Sequence, residues 1–256
     1  MQELINFWKS YYYTEPALNI VLCISLIASL LKRKKFTQLK YIPLYISSLL
    51  IVGFCSALYN GHYISHLSFG LADYVDYFFT LIELLIFSHF YYNLTSNIAV
   101  KKLVISLNLI FSAFFLYMLI TDKEFSSSIS VTTKNQVYTI EGIVLLLICL
   151  SYFFELFKKP PLSKLKNDPV FWVSTGLLFF LTCTLPFSFL ENYIRKYHHN
   201  LLYWTYPIFY IFYILLFLMI IRAYLCKPQK HTELSSLTKS ALHENSDRMK
   251  GDYKIL

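Results

Sequence analysis

A chain of 256 residues that is 56% hydrophobic and 19% aromatic, with charged residues at only 15%, is too apolar for a soluble domain, where about a quarter of residues are charged. Its formal charge of +8 does not point to nucleic acid, because the basic residues cluster beside apolar runs, as in cytoplasmic loops of membrane proteins. With 6 Gly and 8 Pro there is little turn material, so membrane spans and short connections should consume nearly the whole chain.

Residues 1–15 carry Trp8 and Tyr11, Tyr12 and Tyr13, an aromatic cluster suited to headgroup level ahead of a span. No basic region precedes the first apolar run and Lys32, Arg33, Lys34 and Lys35 follow it, which argues against a cleaved signal peptide. Span one is residues 16–31, short at about 16 residues, and span two is 41–58. A polar connection holding His62 and His66 leads to span three, residues 73–92, DYVDYFFTLIELLIFSHFYY.

Span three carries Asp73, Asp76, Glu83 and His89. An ionisable group at that depth costs a few kcal/mol, so it faces a bundle interior or a wet cavity rather than lipid. At about 100° per residue, Asp73, Asp76, Thr80 and Glu83 share one side of the helix, and His89 lies about 120° away from Glu83. His89 therefore reads as structural.

Span four is residues 103–120, and a Ser/Thr-rich loop follows at 121–134. Span five, 137–157, holds Glu141 near its start and Glu155 near its end, the latter placed to reach Lys158. The loop 158–168 contains Pro160, Pro161 and four lysines. Span six is 169–189, where Pro186 should end or kink the helix and Thr182, Thr184 and Ser188 could satisfy freed carbonyls. Residues 191–200 form a connection to span seven, 202–224. The domain organisation is thus a membrane domain over residues 1–226 and a polar, disordered cytoplasmic tail over 227–256.

The fold class expected is all-α: a polytopic membrane protein with a seven-transmembrane-helix bundle. Basic residues sort to alternate loops, which places the N-terminus outside and the C-terminus in the cytoplasm. Asn93-Leu94-Thr95 matches a glycosylation acceptor but falls on the cytoplasmic side in this topology. The five cysteines form no CxxC or metal-ligand pattern.

Two constellations could carry chemistry. Asp73, Asp76, Thr80, Glu83 and Glu141 form an intramembrane polar site able to relay protons or bind a cation, or else simply to fix packing through Ser, Thr and Tyr hydroxyls. Glu83 and Glu141 should lie at comparable depth in a shared polar cavity reachable from the outer face. On that outer face, His62, His66, His198, His199 and Glu191 could bind a metal or sense pH, with scattered solvated histidines as the plainer alternative. No hydrolase, zinc-protease, nucleotide-loop or kinase signature occurs, and span seven has no lysine for a retinal Schiff base.

The short loops, the glutamates of spans three and five, and the run Phe171-Trp172-Val173-Ser174-Thr175-Gly176-Leu177-Leu178 resemble the seven-helix membrane modules of bacterial sensor histidine kinases and their stand-alone relatives. The resemblance covers residues 1 to about 225 and implies a non-enzymatic sensory or scaffolding module that passes a helix movement to a signalling protein in the membrane or cytoplasm. The alternative is a small-solute or proton-coupled transporter built on Glu83 and Glu141. The composition also looks bacterial, so the expected site is the plasma membrane, the inner one in a Gram-negative cell, with the lipid bilayer as the first partner.

Overall fold

The computed structural model describes residues 2–60, 71–121, 131–158, 162–197 and 199–226; the side chains of residues 2–15, 56–60, 71–73, 131, 162–164, 192 and 199–206 lie outside the description. The tail, 227–256, lies outside the described residues as well. The described residues are 93% helical, with no strand. Seven α-helices follow in order: α1 (Gln2–Lys32), α2 (Ile42–Asn60), α3 (Leu71–Leu94), α4 (Ile98–Thr121), α5 (Val131–Phe157), α6 (Pro169–Tyr197) and α7 (His199–Leu225). Short 3-10 turns lie at Thr37–Leu39 and Leu162–Asn167.

Five helices are long and apolar enough to cross a membrane, over Thr37–Cys55, Ile98–Thr121, Thr132–Phe157, Pro169–Glu191 and Pro207–Leu225, the architecture of a multi-pass membrane protein. The sequence reading gave seven. In α1 the described apolar part, Pro16–Lys32, is shorter. Helix α3 has the length, at 24 residues, but Asp76, Glu83 and His89 hold its hydropathy down.

Helix ends run beyond the expected spans. Helix α1 continues through Pro16 into the aromatic segment that was expected to lie apart from the span, because a proline deletes one backbone hydrogen bond while the rest of the ladder persists. Helix α6 likewise passes Pro186 and extends to Tyr197, so Pro186 does not end it. The hydroxyls of Thr182, Thr184 and Ser188 donate to the carbonyls of Leu178, Phe179, Phe180 and Thr184, around rather than at the Thr182 carbonyl that Pro186 deprives. Residues 131–134, read as loop, form the first turn of α5. The start of α6 follows an ordinary rule: Asp168 caps it, accepting from the Val170 N–H at 2.9 Å, with Pro169 at the first helical position.

Six helices form a closed ring in the order α1, α2, α3, α5, α6, α7, with α7 returning to α1. Helix α4 stands outside and packs on α3 and α5, burying Val104, Phe111 and Phe115 while Leu109, Ile110, Leu116 and Ile120 stay exposed. On α1 the stripe Leu18, Leu22, Ser25 and Ser29 is buried, whereas Ile20, Ile24, Ile27 and Leu31 face outward. The two serines keep that seam thin, and the Ser25 hydroxyl donates to its own helix at Val21 (2.8 Å) and to the Phe217 carbonyl of α7 (3.4 Å). Close approach recurs at Gly176, where a Cβ would sit 2.8 Å from the Met219 Cβ of α7.

At the end of the ring where Lys32, Lys40, Lys101, Lys158 and Arg222 gather, the 3-10 turn Thr37–Leu39 touches both α3 and α6. Leu39 is fully buried, and its carbonyl accepts from the Tyr224 hydroxyl of α7 at 3.2 Å. The Tyr224 carbonyl in turn accepts from Lys32 Nζ of α1 at 2.8 Å, and Phe36 meets the Tyr224 ring edge-on at 5.9 Å. The Arg222 guanidinium lies 5.3 Å over the Trp172 ring, whose Nε1 donates to the Lys166 carbonyl.

Candidate functional site

Helix α3 touches α2, α4 and α5 and is buried on most of its circumference. Its exposed stripe is Phe78, Ile82, Leu85 and His89, spaced by four, three and four residues. The opposite side holds Thr80, Glu83 and Phe87, all buried, so the ionisable Glu83 points into the ring. His89 sits on the outward stripe toward the basic end, where its Nε2 lies 2.7 Å from the Tyr41 hydroxyl and its ring meets Tyr41 edge-on at 4.6 Å.

Glu83 has a specific partner. The Tyr45 hydroxyl of α2 donates to Glu83 Oε1 at 3.0 Å, and both residues are buried. Tyr45 is fixed by aromatic neighbours on two helices: Phe87 at 4.8 Å and Phe79 at 6.4 Å on α3, and Phe217 at 6.2 Å on α7. The band continues from Phe217 to Tyr213 (6.4 Å, stacked) and from Tyr213 to Phe180 of α6 (4.4 Å). Aromatic side chains of α2, α7 and α6 therefore form the wall facing the acids of α3 and α5.

Glu141 is buried on α5, close enough to Glu83 for each carboxyl's charge to act on the other. Its Oε1 has no hydrogen-bond partner among the described residues. Tyr213 and Tyr138 both lie within electrostatic reach of the two glutamates, and Tyr138 faces Thr80. The adjacent Gly142 lets α6 approach, since a Cβ there would meet Leu185 Cδ2 at 2.7 Å. An acid without a donor in a low-dielectric interior is an acceptor held ready, because leaving such a group unpaired costs about 1–3 kcal/mol or more.

Among the remaining expected site residues, Asp76 acts on Tyr138 as both glutamates do and so belongs to the same neighbourhood. Asp76 is half-buried, and its carbonyl accepts from Thr80 Oγ1 at 3.3 Å; Asp73 belongs to α3, but its side chain lies outside the described residues. His62, His66 and His198 lie outside the described residues, as does the side chain of His199 at the start of α7. Glu191 is not in a loop: it lies on α6 and pairs with Arg195 one turn later at 2.7 Å. No group of three metal-ligating side chains forms among the described residues. Glu155 does not reach out to Lys158. Its Oε1 is buried without a partner among the described residues while Lys158 is exposed, because side chains lean toward the start of their own helix and here away from the lysine loop.

Tyr45, Tyr138 and Tyr213 were not singled out from the sequence. Among 22 tyrosines nothing in local spacing marks these three, and a tyrosine in the first turn of a span reads as an interface residue. Comparison with known protein families, with curated proteins and with solved structures returns no match.

Proposed function

We propose that the chain is a sensory or scaffolding module of the plasma membrane without catalytic activity, in which the charge state or occupancy of Glu83 and Glu141 is passed to a partner protein at the basic end. The observation that carries this reading is the run of contacts from the buried acid to that end. Glu83 holds Tyr45, which lies one turn into α2. Helix α2 begins just after the 3-10 turn whose Leu39 carbonyl is tied to Tyr224, and Tyr224 is tied to Lys32. A change at Glu83 thus bears on the ends of α1 and α7 through a short, rigid path.

The finer topology belongs to the same proposal: seven spans, N-terminus outside, C-terminus cytoplasmic. The gathering of Lys32, Lys34, Lys35, Lys40, Lys101, Lys102, Lys158 and Arg222 at one end supports it. In the resemblance to the membrane modules of bacterial sensor kinases, the segment from Phe171 begins α6 and packs against α5 and α7, with Ser174 accepting from Tyr91 at 3.1 Å. A transporter built on the two glutamates is the alternative. It would have to open the basic end, where hydrogen bonds link Leu39, Tyr224 and Lys32.

The test uses Glu83→Gln, which neutralises the site without needing a ligand. Spin labels at Lys34 and Lys166, both exposed at the basic end, report distances in nanodiscs, on a background with the native cysteines replaced. The sensory reading expects a shifted distance distribution in the variant and no Glu83-dependent proton flux in liposomes. Flux that Glu83→Gln abolishes, with unchanged distances, would establish transport instead.

A further inference from the structure

The interior of the ring is chemically two-sided. Carboxyls from α3 and α5 form one side, and the mutually packed rings of Tyr45, Phe217, Tyr213 and Phe180 form the other. Glu83 already has its donor in Tyr45, while Glu141 Oε1, on a residue only 6% exposed, has none. We propose that this interior is a binding site for a small protonated amine, with Glu141 accepting an N–H, Glu83 contributing charge, and the aromatic wall of α2, α6 and α7 covering the alkyl part. The inference rests on the sensory reading above and names the ligand class of that site.

The choice of an amine over a metal ion follows from the donor set. A hard cation such as Ca²⁺ takes six to eight oxygens, on the order of what free water would supply. Here the oxygens lie to one side, Tyr45 is already donating to Glu83, and Thr80 is donating to its own helix. The opposite side offers aromatic rings, which suit an alkyl group and supply a small metal ion with too few oxygens. A quaternary ammonium would satisfy the rings but would leave Glu141 Oε1 without a hydrogen bond. A primary ammonium satisfies both, and a charge-assisted N–H donor is the stronger kind of partner.

The experiment is equilibrium dialysis of radiolabelled methylammonium against the full chain in nanodiscs, at constant ionic strength set with potassium chloride. One saturable site per chain is expected, competed by ethylammonium about tenfold better than by tetramethylammonium, and not by sodium or potassium at equal concentration. Glu141→Gln should weaken binding about tenfold or more, whereas Glu155→Gln, altering a half-buried acid on the same helix nearer its basic end, should leave it unchanged. Should Glu141→Gln not fold, the wild-type selectivity order still decides. Equal competition by sodium, preference for tetramethylammonium, or no saturable binding would overturn the proposal. Absent amine binding with a basic-end distance still responsive to Glu83→Gln removes the ligand class and leaves the sensory reading; amine binding with Glu83-dependent flux does the reverse.

Discussion

The Tyr45–Glu83 hydrogen bond should behave as a coupled pair whose members are worth more together than apart. Tyr45→Phe removes one hydroxyl and leaves Glu83, only 8% exposed, without its donor; Glu83→Leu removes the acid and leaves a buried phenol. Each single change should therefore destabilise by about 1–3 kcal/mol, the penalty of orphaning a buried polar group. The double variant replaces both partners by apolar groups and should fall well short of the sum, because nothing is left unsatisfied. Couplings between polar side chains in membrane proteins average about 0.6 kcal/mol with a maximum near 1.7 kcal/mol. The burial of this pair, with Phe79, Phe87 and Phe217 packed round the phenol, places it near the upper part of that range. Reversible unfolding in mixed micelles of the four members of the cycle measures it. A coupling below about 0.3 kcal/mol, the usual error of additivity, would refute the claim that Tyr45 is held by Glu83 rather than by its aromatic neighbours alone.

Glycine positions separate by what lies across from them: Gly176→Ala drives a methyl group to 2.8 Å from the Met219 Cβ and should lower the melting temperature by forcing α6 and α7 apart. Gly53→Ala, where nothing lies within 4 Å, should instead be neutral or stabilising by about 0.5–1 kcal/mol through helix propensity. At the cap of α6, burial pushes the Asp168 carboxyl above its ordinary value, against the opposing hydrogen bonds from the Val170 and Phe171 N–H groups. Since the folded state disfavours the charged form, the stability this group contributes is greatest below the unfolded aspartate pKa and is lost as pH rises through the raised folded one. Asp168→Asn keeps a capping oxygen and should match or exceed wild type in thermal melts at neutral pH, an advantage that shrinks on acidification. A variant less stable than wild type at neutral pH and equal to it in acid would reverse the sign.

The inward direction of Glu83 was readable because an acid in an apolar helix leaves one economical placement, and the four positions from Asp73 to Glu83 share a face. The order of helices around the ring was not readable. Lipid and protein interior are equally apolar, so nothing in the sequence of α4 distinguishes a helix outside the ring from one within it. Polar helix ends were misjudged for a related reason. Residues 131–134 and 191–197 lack an apolar period, yet they extend α5 and α6, with the Glu191–Arg195 pair spanning one turn. The partners of the acids stayed hidden because tyrosine serves equally as interface anchor, packing group and hydrogen-bond donor, and only the three-dimensional neighbourhood selects among these roles.

Ring closure by α7 has a consequence for biosynthesis. During translation α3 and α5, with their acids, are made before α7, which supplies Tyr213 and Phe217 and joins α6 to α1. Until that last helix arrives, the intermediate is an open trough with Glu83 and Glu141 on its inner wall, a species that membrane chaperones and proteases can recognise by its unshielded carboxylates. Closure of the ring thus waits for α7 rather than for the earlier hairpins, and released chains truncated before residue 199 should be degraded while chains truncated after residue 226 persist.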